Sequence, residues 1–514
     1  MDKRNIKTLQ DLVTVAAAEY GDKIFIKEKQ GNQVSEKSFN EFCNDIKRMT
    51  SFVNSKRKNA DAPINAAVIG GSSYAWLVSY FGTVCGGNAA VPLDAQLSCE
   101  DICELLNRSD SEIFFFDSRY EKMIPEIKGS CPKVNTFVCF NSDFDNVLKE
   151  NEPVQFSEIS PNALAAISYT SGTTGKSKGV MLLHRNLIDN AMCQDNESTP
   201  DDVILSVLPI HHIYCFTCDI LCSLRYGTEL CLNDSMLRIP QNLKLFRPTI
   251  MLIVPMIAET IYKQIKAAAA AKPDIPVAAI ANSVFGGRLK TIYSGGAYLR
   301  PELQRAYIDM GFQMAQGYGM TECSPRISTA NRFDTACDGD VGVIVNGCQV
   351  KIEEGEIMVK SPSVMAGYYK DAEATAEALT PDGWLHTGDL GYVDDNNRIF
   401  ITGRKKNLII LSNGENVSPE ELENKFAGVE YIAEVLVYAE DSVICAEIFP
   451  DPNICVEKSV EEIEKDCRET IDSINKTLTS AKAIRRLRIR DTEFDKTTSK
   501  KIRRDQPMHG RLIK

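Results

Sequence analysis

A chain of 514 residues, 44% hydrophobic and 25% charged, has the composition of a soluble globular protein and room for two or three domains. Its net charge of −12 excludes general nucleic-acid binding, which needs a basic surface. The start, MDKRNIKTLQDLV, has no apolar run after its charges and does not read as a secretory leader.

Residues 62–93 carry no charged side chain, but Gly70, Gly71, Gly86 and Gly87 interrupt them. The stretch therefore predicts a buried strand, a packed helix and a second strand, not a membrane span. A helix follows over 98–108, then a strand at SEIFFFD. The stretch AISYTSGTTGKSKGVMLLH, Ala166 to His184, is a strand entering and leaving a loop of glycines, hydroxyls and lysines. Such a loop suits an anion, because backbone approaches closely and hydroxyls and ammonium groups surround the charge. It is not the G-x-x-x-x-G-K-[ST] loop, since Thr170 stands where the first glycine belongs.

VILSVLPI and TIMLIVPMI are apolar strand signals, as is LKTIYSGGA, which runs into a double glycine. Between them IKAAAAAKPDIPVAA is a helix-favouring run ended by Pro273, a surface spacer. Strands alternating with helical patterns imply parallel sheets whose ligands gather at the strands' carboxyl ends. The 17 cysteines are scattered and odd in number, which suits a reducing compartment. Cys215, Cys218 and Cys222 lie beside His211 and His212 without a second pair to complete a four-ligand shell, so they read as core or pocket lining. QGYGMTECSP sets an aromatic between glycines before Thr321 and Glu322, and Gly-Tyr-Gly alone reads as a turn. Near Gly403 the character changes, with cationic GRKKN followed by SPEELENKF, a helix start capped by Ser418. KAIRRLRIRD alternates arginine with apolar residues, as an edge or half-exposed strand does, and the basic FDKTTSKKIRR follows.

Taken together and in this order, the loop at 166–184, YSGGAYL, QGYGMTECSP, GWLHTGDLGYVDDNNRIFITGRKKNLI and FDKTTSKKIRR resemble the adenylate-forming superfamily over nearly the whole chain. That superfamily holds acyl-CoA synthetases, luciferases and peptide-synthetase adenylation domains, and NGENVSPEELE is most similar to its medium- and long-chain fatty acyl-CoA synthetases. The resemblance implies an α/β fold. A large N-terminal domain of parallel-rich sheets with a β-barrel-like subdomain would occupy residues 1–403, a hinge 404–408, and a small mobile α+β domain 409–514. It implies ATP-dependent activation of a carboxylic acid to acyl-AMP and transfer to a thiol, with ATP, Mg²⁺ and coenzyme A as cosubstrates and cofactor. The chemistry needs positioning and charge neutralisation more than covalent help.

The implied residues follow position by position. Thr170, Ser171, Gly172, Thr173, Thr174, Gly175 and Lys176 would cradle the β- and γ-phosphates of ATP. Gly295, Gly296 and Ala297 would lie against the adenine and Tyr318, within Gln316, Gly317 and Gly319, would stack on it. Thr321 would contact the α-phosphate and Glu322 would hold Mg²⁺. Asp389, helped by Arg404, would bind the ribose hydroxyls, and Lys406 falls at the hinge. The catalytic lysine matches Lys501 on the strength of Lys496, Thr497, Ser499, Ile502 and Arg504, although Lys500 replaces the usual glycine and Asp495 the usual proline. Its ammonium would stabilise charge redistributing between carboxylate and ATP oxygens.

His212, in LPIHHIYCFTCDI, would sit near the bound carboxylate, and the apolar wall there suits an aliphatic or aromatic acid. Amino-acid-activating relatives place an aspartate in a Phe-Asp pair; here Asp219 is displaced. Arg485, Arg486, Arg488, Arg490, Lys500, Arg503 and Arg504 would meet either the phosphates of coenzyme A or the acidic helix of an acyl carrier protein bearing phosphopantetheine, or form a solvated basic face. The expected setting is cytoplasmic. An acyl–carrier-protein ligase, a stand-alone adenylation enzyme, and an inactive nucleotide- or acyl-binding relative are the alternatives.

Overall fold

The computed structural model describes residues 6–31, 33–59, 62–170, 177–195, 198–333, 338–411, 416–440, 443–496, 502–504 and 506–513. They fall into two compact units, one of residues 1–350, 359–386 and 395–399, the other of residues 351–358, 387–394 and 400–514. The α/β class with parallel-rich sheets in the large N-terminal part is as expected.

The first unit holds a seven-stranded and a nine-stranded sheet. The chargeless stretch forms the strand Asn65–Ile69, the helix Tyr74–Val84 and the strand Ala89–Leu93. That helix has Trp76, Leu77, Val78 and Phe81 all at 0% exposure, which explains why no face of it is polar. The helix Cys99–Arg108 starts at Ser98, whose side chain caps Asp101 N while Asp101 returns the bond, and buries Ile102, Leu105 and Leu106. TIMLIVPMI divides into the strand Ile250–Ile253 and a helix that begins at Pro255, where the missing N–H costs nothing.

In the nine-stranded sheet the strands Ile24–Gln30, Glu229–Leu232, Val203–Ser206, Ile250–Ile253, Thr291–Ser294 and Gln313–Gly319 run parallel. The carboxyl ends of Thr291–Ser294 and Gln313–Gly319 are thus side by side. Gly-Tyr-Gly is not a turn: Gly317, Tyr318 and Gly319 are the last residues of a strand paired with Arg326–Thr329. A turn reading fails because the second hairpin strand passes so close that a Cβ on Gly319 would lie 2.0 Å from the Pro325 carbonyl oxygen.

The second unit holds most of a four-stranded sheet (Gln349–Glu353, Glu356–Lys360, Leu385–Val393, Ile399–Arg404), in the region expected to be barrel-like. It also holds a sheet ordered Ile432–Glu440, Val443–Pro450, Arg486–Ile489, Arg511–Ile513. Ser418 caps the helix Pro419–Asn424. The strand Arg486–Ile489 alternates buried and half-buried residues as its sequence predicts, but it is internal and not an edge. Val437, Ile448 and Cys467, each at 0% exposure, belong to this unit's own core. No helix among the described residues is long and apolar enough to cross a membrane.

Candidate functional site

The glycine-rich loop joins two antiparallel strands, Leu164–Thr170 and Lys178–Leu183, with Thr170 opposite Lys178. Ser171, Gly172, Thr173, Thr174, Gly175 and Lys176 lie outside the described residues. The returning leg is held firmly: the Arg108 guanidinium donates to the Ser177 carbonyl at 2.6 Å, and Tyr369 N donates to the Gly179 carbonyl at 2.7 Å. The strand Lys178–Leu183 also pairs with Gly367–Tyr368, setting Val180 opposite Tyr368.

From there the Tyr368 hydroxyl donates to Glu322 Oε1 at 2.9 Å, and Lys178 Nζ stands 4.9 Å from the Tyr368 ring centre. One tyrosine therefore connects the foot of the loop to the carboxylate expected to hold a cation. Burial and the Glu322 charge both raise the Tyr368 hydroxyl far above the ordinary tyrosine range, so it stays a donor. Sequence reasoning missed Tyr368, because AGYYKD carries no local signal; only strand pairing brings it to Glu322.

Glu322 is 8% exposed, on a turn Thr321–Cys323 that is pinned on several sides. Met365 N donates to the Glu322 carbonyl, Asn190 Nδ2 to the Cys323 carbonyl, and Thr217 Oγ1 to the Ser324 carbonyl. Such a frame fixes one carboxylate. Among the described residues no group of three or more His, Cys, Asp or Glu is placed to hold a metal. Mg²⁺ is commonly bound by one or two carboxylates plus substrate phosphates and waters, so a single fixed Glu322 fits that ion.

At the neighbouring strand ends, Tyr318 is 9% exposed and Gln316 is buried against Gln304. Gly295 follows the strand Thr291–Ser294, and a Cβ there would meet the Tyr214 ring at 3.1 Å. Gly296 adopts φ +80°, which glycine takes without strain. Ala297 is exposed beyond it. Gly295, Gly296, Tyr318, Thr321 and Glu322 are thus gathered at the carboxyl ends of two adjacent parallel strands.

LPIHHIYCFTCDI runs through a π-helix, Cys215–Leu221, and Cys215, Cys218 and Cys222 are buried along it and the helix that follows. His212 is exposed, and its Nδ1 accepts from Tyr214 N at 3.3 Å. His211 is the more buried of the pair, 3.9 Å from Asp94, and burial lowers its pKa. Asp219 is fully buried: Ser206 Oγ donates to its Oδ2 at 2.8 Å, while Oδ1 has no hydrogen-bond partner among the described residues. Burial pushes this carboxyl up to about 7.

In the second unit Asp389 is 2% exposed and paired with Arg404, Nε to Oδ1 at 2.6 Å. Lys405 is paired with Glu356 at 2.9 Å, whereas burial and the Arg404 charge lower the pKa of Lys406. Lys501 lies outside the described residues, as do Thr497, Ser499 and Lys500. The arginines proposed to meet phosphates or an acidic helix are largely engaged within this unit. Arg486 and Arg488 pair with Glu440, Arg504 with Glu423, and Arg490 is buried near Glu447 with its guanidinium over Phe494. Part of the charge that their sequence suggests is thus offset within the unit, while Arg485 and Arg503 are exposed.

With this geometry in view, comparison with known proteins gives consistent results. A family model described as AMP-binding enzyme matches residues 13–369, and one described as AMP-binding enzyme C-terminal domain matches residues 406–509. The chain is 28% identical over 434 residues to 4-coumarate–CoA ligase 1 of Arabidopsis thaliana, covering 77% of this chain and 75% of that one. It is 28% identical over 455 residues to long-chain-fatty-acid–CoA ligase 5 of Rattus norvegicus, covering 73% of this chain and 65% of that one, a little under two thirds of the relative's length. Among solved structures, O-succinylbenzoate coenzyme A synthetase from Bacillus subtilis in complex with AMP superposes with a TM-score of 0.78 at 25% identity, covering 98% of both chains.

Proposed function

The chain belongs to the AMP-binding enzyme family of adenylate-forming acid–CoA ligases, and from that premise we propose that it activates a fatty acid with ATP and passes the acyl group to coenzyme A. A carboxylate oxygen attacks the α-phosphorus, pyrophosphate leaves, and the coenzyme A thiol then displaces AMP. The observation that carries this reading is the convergence of Gly295, Tyr318 and Glu322 at neighbouring strand ends, with Tyr368 tying Glu322 to the foot of the glycine-rich loop.

In this reading Gly295 and Gly296 leave flat backbone for the adenine and Tyr318 covers its face. Thr321 meets the α-phosphate. Mg²⁺ on Glu322 offsets the charge of the phosphates. Asp389 takes the ribose hydroxyls with its carboxylate oriented by Arg404. Lys501 bridges the substrate carboxylate and the phosphate oxygens, and residues 404–408, with Lys406 among them, are the hinge between residues 1–403 and 409–514.

A fatty acid is favoured by the similarity of NGENVSPEELE to medium- and long-chain fatty acyl-CoA synthetases, and the apolar segment 214–218 is compatible with an aliphatic or aromatic acid. Asp219 is buried against Ser206 and so is not offered to a substrate ammonium. Coenzyme A is favoured over a carrier protein because the relatives that the chain matches are coenzyme A ligases. No disulfide joins the described cysteines, which supports a reducing, cytoplasmic setting.

The test is pyrophosphate release with hydroxylamine trapping of the acyl-AMP across fatty acids, hydroxycinnamates, aryl acids and amino acids. Fatty acids should give the highest kcat/KM. A hydroxycinnamate leading the panel would refute the substrate, and no release with any acid would refute the activity.

A further inference from the structure

Residues 235–290 carry eight lysines and arginines against two carboxylates, a net charge of +6 within a chain of −12. All eight cations are exposed, among them Lys244, Arg247, Arg288 and Lys290. Of the two carboxylates, Glu259 is taken by Arg300 at 2.9 Å, which leaves Asp274. Asp234, just before this region, is engaged by Arg238 at 2.7 Å.

The same region exposes large apolar side chains. Leu237 is 88% exposed, Met236 52% and Leu245 48%, on the short helix Met236–Arg238 and the helix Ile239–Phe246. Ile275 and Val277, also exposed, lead into the helix Val277–Val284, and every residue from 271 to 279 is exposed. These helices pack against one another in series, and the helix Pro255–Ala270 packs on Val277–Val284. Exposed apolar side chains and exposed cations are thus interspersed along these mutually packed elements.

Folding alone does not account for such a surface, because each exposed leucine or methionine forgoes burial and a run of cations repels itself. A second copy is a poor occupant, since a two-fold contact would set the same positive face against itself. The charge is complementary to an anionic surface, and the apolar tips fit the boundary between headgroups and acyl chains. We propose that the face built from residues 235–290 docks on an anionic lipid bilayer, with Met236, Leu237 and Leu245 entering the headgroup layer and Lys244, Arg247, Arg288 and Lys290 meeting lipid phosphates. The chain lies on the membrane and does not cross it. The proposal is independent of which acid is activated, because docking is read without ATP or acid.

The test is co-sedimentation of the full chain with vesicles of phosphatidylcholine alone or mixed with phosphatidylglycerol. Binding to the mixed vesicles only, falling steeply as salt rises, is expected. Lys244→Gln with Arg247→Gln should weaken it about 30-fold, at roughly fivefold per cation. Leu237→Ser should weaken it several-fold while leaving the salt dependence unchanged. Equal binding to both vesicles, or to neither, would overturn the proposal, as would capture of an acidic protein without any vesicle binding. The wild-type salt series decides the matter even if a variant fails to fold, and the acid panel above separates loss of docking from loss of catalysis.

Discussion

Asp219→Asn isolates the energetics of a carboxyl that the fold buries completely, with Ser206 and not a cation as its hydrogen-bond partner. Its folded-state pKa is raised, so the native state binds the proton more tightly than the unfolded chain does. Stability from this group is therefore complete below the ordinary carboxylate range and is lost as pH rises to about 7, above which the native state carries a buried charge. Each pH unit in that window costs about 1.4 kcal/mol, so raising the pH from 5 to 7 removes up to about 3 kcal/mol. Asparagine cannot titrate. The variant bears a constant offset for its buried amide where Oδ1 had no partner, and no pH-dependent loss from this site. Urea unfolding followed by tryptophan fluorescence is a suitable assay, because both tryptophans, Trp76 and Trp384, lie in the first unit with Asp219. The stability difference between wild type and variant should shift by about 3 kcal/mol in favour of the variant across that range. Parallel pH profiles would show that Asp219 is hydrated or paired and would refute the reasoning.

Three further outcomes are expected. Lys501→Ala should abolish acyl-AMP formation while a supplied acyl-AMP is still converted to thioester; equal loss of both half-reactions in separate assays would contradict the role given to this ammonium. Tyr368→Phe removes the hydroxyl from Glu322 Oε1 and should lower kcat/KM for ATP about tenfold, the value of a hydrogen bond to a charged group, with a raised Mg²⁺ requirement; an unchanged Mg²⁺ titration would separate Tyr368 from the site. Gly82→Ala gains about 1 kcal/mol of helix propensity but sets a Cβ 2.4 Å from Met49 Cγ and 2.5 Å from its Cβ. Overpacking of about 1–3 kcal/mol should win, giving a lower urea midpoint, and a raised midpoint would show that the two helices yield.

Elements with a local physical cause were legible in the sequence. A helix without charges had to be buried on all sides, and Ser98 and Ser418 marked helix starts through bonds made within one turn. Gly295, Tyr318 and Glu322 were readable as candidates because resemblance supplied their roles, and the parallel sheet then gathered them. What escaped depends on distant partners. Tyr368 reaches Glu322 only through strand pairing, and Arg486, Arg488 and Arg490 of RRLRIR find their carboxylates only when Glu440 and Glu447 fold against them. Gly-Tyr-Gly looked like a turn because glycine's local freedom hides the closeness of the strand that passes it.

The contact between Tyr214 and Gly295 has an evolutionary consequence. One ring stands in the segment proposed to face the acid and also fills the space behind the backbone proposed for the adenine. On the proposed roles, changing diet by trimming that ring would disturb how the energy donor is held, so new acid preferences should arise at neighbouring positions such as 215–222, which carry no such double obligation.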